Sequence, residues 1–214
     1  MSTFIILAAL VALLIWVLMQ LSKKQQPAPE PLGPGPARPD LANLKITDAR
    51  AGDVISISGA GDNFSDLDFT ADRYTRYEAG AHPWFELSGS YRERRVSLRV
   101  AGDEELEVAV HNDARRLSLE DIGLNEEDLA QMDERQNTAD SFEFDGKVWL
   151  YRRSREARAF RNGQPAQPAA FYYWEFQEQN GKALIAIRKL EGEPFAVTLY
   201  TGVPEGDITV YRGR

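Results

Sequence analysis

One strand pattern occurs twice in this chain, and it limits the possible folds more than any other feature. The first copy runs Trp84-Phe85-Glu86-Leu87, then Val96-Ser97-Leu98-Arg99-Val100, then Leu106-Glu107-Val108-Ala109-Val110. The second runs Tyr173-Trp174-Glu175-Phe176, then Ala183-Leu184-Ile185-Ala186-Ile187-Arg188, then Phe195-Ala196-Val197-Thr198-Leu199. A single offset of 89 positions maps Glu86 onto Glu175, Leu98 onto Ile187, Arg99 onto Arg188, Leu106 onto Phe195, Val108 onto Val197 and Val110 onto Leu199. One offset kept through two turns marks an internal duplication of a three-strand unit. Phe142-Glu143-Phe144-Asp145-Gly146 likewise matches Ile55-Ser56-Ile57-Ser58-Gly59 at an offset of 87, so a two-residue insertion separates the front and back of the repeat.

The expected fold is therefore all-β and mainly antiparallel. Two similar units, about 44–116 and 140–214, form one pseudo-symmetric body within 44–214, a sandwich or a barrel. Residues 117–139 connect them. Within this connector Asn125 reads as an N-cap, Glu126, Glu127 and Asp128 supply a first acidic turn, and Leu129 and Met132 fall three apart, which predicts a short helix. Glu205-Gly206-Asp207-Ile208 echoes Ala51-Gly52-Asp53-Val54, so the last strand and the first should lie close together.

The N-terminal part is different. Phe4 to Met19 is uninterrupted apolar sequence. Residues 3–21 make about 19 residues, or about 28 Å of helix, enough to span a hydrocarbon core. No Lys or Arg precedes this run and no small-x-small cleavage site follows it before Ser22, so it reads as a single-pass anchor rather than a cleaved signal peptide. Lys23 and Lys24 directly after it place the N-terminus outside and the body in the cytoplasm, on the inner face of the cytoplasmic membrane. Residues 22–43 hold QQPAPEPLGPGPARPD, whose prolines forbid helix and favour an extended polyproline II spacer.

Composition excludes several classes of function. The formal net charge is −8, and the acidic residues dominate after position 43. Such a body is repelled by phosphate backbones, so nucleic acid is not its partner. There is no cysteine, which removes disulfides, thiolate metal sites and thiol nucleophiles. Two histidines, His82 and His111, do not make a metal centre. Gly59, Gly61 and their neighbouring aspartates match neither a phosphate loop nor a calcium loop and read as a hairpin turn. No cofactor is implied, and no nucleophile or nucleotide constellation argues for an enzyme.

Two groups of residues carry candidate chemistry. Glu86 and Glu175 sit mid-strand at equivalent places, opposite in face to their apolar neighbours. They could meet near a pseudo-twofold axis as a carboxylate pair for acid–base work or for a small cation or polyamine. On the structural reading, each pairs with an arginine of a neighbouring strand, Arg99 or Arg188. The second group is Arg152, Arg153, Arg155, Arg158 and Arg161, five arginines within ten residues of an acidic protein. They read either as a dock for phosphates, lipid headgroups or an acidic partner, or as a solvated strand and loop balancing the carboxylates of the body.

Ala51-Gly52-Asp53-Val54, the aromatic-Glu-Leu strand, Arg95 to Val100 and Tyr173-Trp174-Glu175-Phe176 together resemble the bacterial domain of unknown function 4178, over about Leu44 to Tyr211. That resemblance brings no catalytic residues. It implies an envelope-linked setting, because members of that family are found near membrane-stress proteins of the PspA type and polyamine aminopropyltransferases. The expected function is a membrane-tethered cytoplasmic binding or adaptor module for a protein partner such as a PspA-type protein, using the arginine cluster. The alternative is an enzyme or polyamine binder using Glu86 and Glu175.

Overall fold

A computed structural model of the protein describes residues 44–102, 105–162 and 168–213. The expected anchor at 3–21 and the spacer at 22–43 lie outside these residues. Among the described residues no helix is long and apolar enough to cross a membrane.

Eleven strands follow the duplication. The first unit holds β1 (Val54–Ile57), β2 (Leu67–Glu78), β3 (Trp84–Tyr91), β4 (Arg94–Ala101) and β5 (Glu107–His111). The second repeats them as β6 (Ser141–Phe144), β7 (Lys147–Arg161), β8 (Ala169–Glu178), β9 (Leu184–Lys189) and β10 (Ala196–Gly202), followed by β11 (Ile208–Tyr211). All pairings between strands are antiparallel. In the order β2-β3-β4-β5-β10-β9-β8-β7, eight strands close into a barrel, because β7 returns to β2. Each of the two seams joins a strand to its own counterpart. β5 meets β10 at Val110–Thr201, and β2 meets β7 from Thr75–Arg161 to Glu78–Arg158. An antiparallel pair of equivalent strands is what a twofold axis through the seam requires. Closure also removes the sheet edges that an open duplicated sheet would expose.

Alternation along the strands sorts side chains between three cores. Leu87, Leu98, Val100, Val108 and Val110 face outward from the barrel and are covered by Ile55, Ile57, Leu67 and Phe69, as β1 and the first half of β2 fold back over them. The second unit covers Trp174, Phe176, Ile185, Ile187 and Val197 with Trp149 and Tyr151 of β7 and with the connector. The connector holds one helix, α1 (Glu126–Arg135). Asn125 and Asp128 form the reciprocal cap expected from the sequence, and Leu129 and Met132 are its buried face. The third core is the barrel interior, with Tyr77, Trp84, Phe171, Tyr173, Leu184 and Tyr200 among small alanines.

The two long strands correct the sequence reading. Asn63-Phe64 belong to a tight turn before β2, and Leu67 to Glu78 is one strand rather than two. The arginine-rich stretch after Tyr151 is a continuation of β7, not strand followed by loop. Each long strand serves two sheets, its first half pairing outward with β1 or β6 and its last residues closing the barrel. Each also carries a bulge, between Ala71 and Arg73 in β2 and between Tyr151 and Arg153 in β7. The terminal strands do meet. β11 pairs with β1, and buried Asp53 accepts hydrogen bonds from Arg50 N, Gly213 N and Arg212 Nη1.

Gly89 stands opposite the β2 bulge. A Cβ there would lie 2.2 Å from the Thr70 carbonyl oxygen and 2.6 Å from Phe69 Cδ2. Because one obstacle is backbone, Gly89→Ala should destabilise the fold by about 1–3 kcal/mol, read as a shifted urea midpoint. An unchanged midpoint would show that the bulge can move aside.

Candidate functional site: an arginine-lined barrel mouth

The inward faces of β3, β4, β8 and β9 bring the duplicated Glu and Arg together. In sheet register Glu86 faces Arg99 directly. The ion pairs nevertheless cross between the units. Arg188 Nη2 bonds Glu86 Oε1, and Arg99 Nη2 donates to Glu175 Oε2 at 2.7 Å. The two carboxylates therefore do not form a shared acid–base pair; each meets the guanidinium of the opposite repeat. Of the two sequence readings, arginine pairing is the one found, with a partner exchange that strand neighbourhood does not suggest.

The two dyads are equivalent in sequence and different in finish. Glu86 is sealed. Tyr77 OH donates to Oε2 at 3.0 Å and Tyr200 OH to Oε1 at 3.0 Å, while both hydroxyls accept from Arg188, at 3.1 and 3.2 Å. Burial by itself would raise the Glu86 carboxyl, but Arg188 and the two hydroxyls outweigh it and hold it below its ordinary value. Desolvation and the same carboxylate push the Tyr77 phenol up to about 12. His111, the counterpart of Tyr200, instead holds the Leu199 carbonyl through Nδ1 at 2.9 Å.

The Glu175 dyad is open. Tyr173 OH donates to Oε2 at 2.8 Å, as does Arg99, and on Oε1 stand Arg152 Nη1 at 3.1 Å and Arg153 Nε at 3.5 Å. Here too the cost of burial is outweighed, by Arg99, Arg153 and Arg152, and the carboxyl lies below its usual value. Above it a cleft of about 280 Å³ opens at the end of the barrel where the β2–β3 and β4–β5 turns lie. His82, Trp84, Arg99, Glu107, Arg152, Arg153 and Arg155 are part of its lining.

The β7 bulge explains why three nearly consecutive arginines share this cleft. Tyr151 pairs with Phe176 and Arg153 with Glu175, so Arg152 is the extra residue. Before the bulge Trp149 and Tyr151 face the outer core; after it Arg153, Arg155 and Ala157 face inward. Ser154 keeps the outward direction and bonds Asp133 of α1 and Tyr151 OH. The predicted five-arginine cluster is thus divided. Arg152, Arg153 and Arg155 line the mouth. Arg158 and Arg161 are exposed further along β7, at the β2 seam.

Charge in the mouth is unbalanced. Arg152 is neutralised by Glu107, with Nη1 donating to Oε2 at 3.0 Å. Arg155 donates only to the Ala79 carbonyl, at 3.1 Å, and has no carboxylate partner among the described residues. The Arg153 guanidinium is held below its ordinary value by burial and by the neighbouring Arg152 and Arg155. His82, expected as an isolated loop histidine, sits at this rim; desolvation there, then Arg153 and Arg155, lower its pKa. Both shifts report excess positive potential.

No family model, curated protein or solved structure matches the chain. The resemblance to domain 4178 therefore stands on the quoted motifs alone, and function must be argued from the mouth itself.

Several residues of the site escaped the sequence reading. Trp84 and Tyr173 are counterparts that meet inside the barrel at 4.9 Å between ring centroids, and both lie two residues before a repeated glutamate. Alternation alone places them on the carboxylate face. Glu107 has the same parity as inward Ala109 and could have been found likewise. Nothing local announced Tyr77 or Tyr200 as partners of Glu86. Among the described residues no cluster of His, Asp and Glu suited to a metal ion occurs.

Proposed function

We propose that this protein is a non-catalytic binding module that holds an anionic group in the arginine-lined mouth of its barrel. The observation that carries this reading is the contrast between the two equivalent dyads. One is closed by tyrosine hydroxyls. The other lies under a cleft with Arg153 and Arg155 in excess of nearby carboxylate. Arginine is the side chain suited to carboxylate and phosphate recognition, and a desolvated cleft strengthens such contacts. The small-cation or polyamine reading has less support, because a guanidinium already stands against each glutamate and more line the open side. The same pairing keeps both carboxyls ionised, which is unsuited to a general acid.

The tether belongs to this proposal as well. The apolar run at 3–21 and Lys23 and Lys24 support a body held at the cytoplasmic face of the membrane. The resemblance to domain 4178 supports an envelope-linked partner, a PspA-type protein or its like, whose acidic group would enter the mouth.

Thermal unfolding of the full chain in detergent tests the binding claim. Inorganic phosphate, succinate and a polyglutamate peptide serve as ligands, beside the double variant Arg153→Glu, Arg155→Glu. At least one ligand should raise Tm in the parent chain, by the equivalent of about 2.7 kcal/mol at a hundredfold excess over Kd, and none in the variant. No shift with any of the three would remove anion binding as the function.

A further inference from the structure

We infer that the anion is a tetrahedral oxyanion of the phosphoryl class, inorganic phosphate or a small phosphate monoester. This rests on the anion-binding reading of the mouth and narrows it. Four buried nitrogen donors on residues lining the cleft have no hydrogen-bond partner among the described residues: Trp84 Nε1, Arg99 Nε, Arg99 Nη1 and Arg155 Nε. Trp84 and Arg99 are 5% and 4% exposed, so solvent outside the cleft cannot satisfy them. All four are donors, and a complementary ligand must present acceptors on every side that faces them.

Shape follows from where the donors sit. They come from β3, β4 and β7, three walls of the mouth. A carboxylate offers two oxygens in one plane and suits a single guanidinium fork. A tetrahedral oxyanion carries acceptor oxygens in several directions and can meet an indole and two guanidinium groups from different walls. The mixture of neutral and charged donors suits an anion with acceptor positions to spare. Size agrees, since a cleft of about 280 Å³ lies just below the usual range for drug-sized ligands. It has room for a phosphate and a short ester. Glu175 and Glu107 do not repel the anion decisively, because Arg99 and Arg152 already engage them and leave Arg153 and Arg155 uncompensated.

The indole N–H of Trp84 reads this contact directly. The full chain, labelled with ¹⁵N-tryptophan in detergent, is titrated at fixed ionic strength with inorganic phosphate, sulfate, glycerol 3-phosphate and succinate. The Trp84 signal is assigned by its loss in Trp84→Phe. It should move downfield and saturate with phosphate, sulfate or the ester, and not with succinate. Tighter binding of the ester assigns a headgroup-like source, and tighter binding of phosphate a free ion. Trp84→Phe should weaken binding about tenfold, as for one neutral hydrogen bond. Arg155→Gln, which sacrifices only one backbone contact of the fold, should weaken it at least as much. Succinate binding without phosphate binding would overturn the phosphoryl assignment while leaving the anion-binding reading intact. No response to any of the anions would overturn both. Unchanged phosphate affinity in both variants would also reject the assignment.

Discussion

Glu86→Ala should destabilise the barrel by about 3–5 kcal/mol, measured by urea unfolding at neutral pH, a large share of the 5–15 kcal/mol available to a typical domain. The substitution removes a carboxylate that is 5% exposed and leaves Arg188 inside the barrel with only the hydroxyls of Tyr77 and Tyr200 beside it. It also deprives both hydroxyls of their acceptor. The cost arises from an uncompensated buried charge rather than from lost attraction, so removing the charge as well should restore stability. Glu86→Leu combined with Arg188→Met should recover most of the loss, because apolar replacements of similar volume commonly match a buried ion pair. A single variant within about 1 kcal/mol of the parent would mean that water reaches Arg188 and that the sealed dyad is not sealed.

Stability should fall at both ends of the pH scale, for opposite reasons. Glu86 and Glu175 have folded pKa values below their ordinary 4.5. The unfolded chain binds these protons more readily, so the stabilisation is present above about pH 4.5 and is lost as pH drops through the lower folded values. Tyr77 is raised from 10.0 to about 12, and Tyr200 is raised further by burial and by Glu86. Here the folded state retains the proton more firmly. That contribution is complete below pH 10 and disappears as pH climbs toward the folded values. Urea midpoints measured from pH 3 to 12 should therefore describe a plateau with two falling limbs. In Tyr77→Phe the alkaline limb should begin later and the acid limb earlier, since one donor to Glu86 is gone. A Tyr77→Phe profile superimposable on the parent would exclude this hydroxyl from the linkage.

Much of this architecture can be read without coordinates, and the part that cannot follows a consistent rule. The offset of 89 positions predicts two like units, and period-2 alternation assigns Glu86 and Arg99 to the face opposite Leu87 and Leu98. Capping chemistry at Asn125 and Asp128 announces α1. Each of these signals depends on residues close together in the chain. The exchange of partners does not. Arg99 lies across from Glu86 in register yet bonds Glu175, because barrel closure brings the inner faces of the two repeats within reach of each other. Closure itself depends on the last residues of β2 and β7 meeting, two strands that lie far apart in sequence.

The arginine cluster shows the same division. Its composition marks Arg152 to Arg161 as unusual, and the charge of the body makes an anion-facing surface a reasonable reading of it. Which arginines work together is decided by one extra residue in β7. The bulge at Arg152 turns Arg153 and Arg155 into the barrel, and strand direction leaves Arg158 and Arg161 exposed. A sequence read alone determines which faces of its strands are apolar and which residues are repeated, because those properties are local and periodic. The tertiary structure decides which repeated charges meet and which mouth stays open, because both depend on how the sheet closes and on where its register slips.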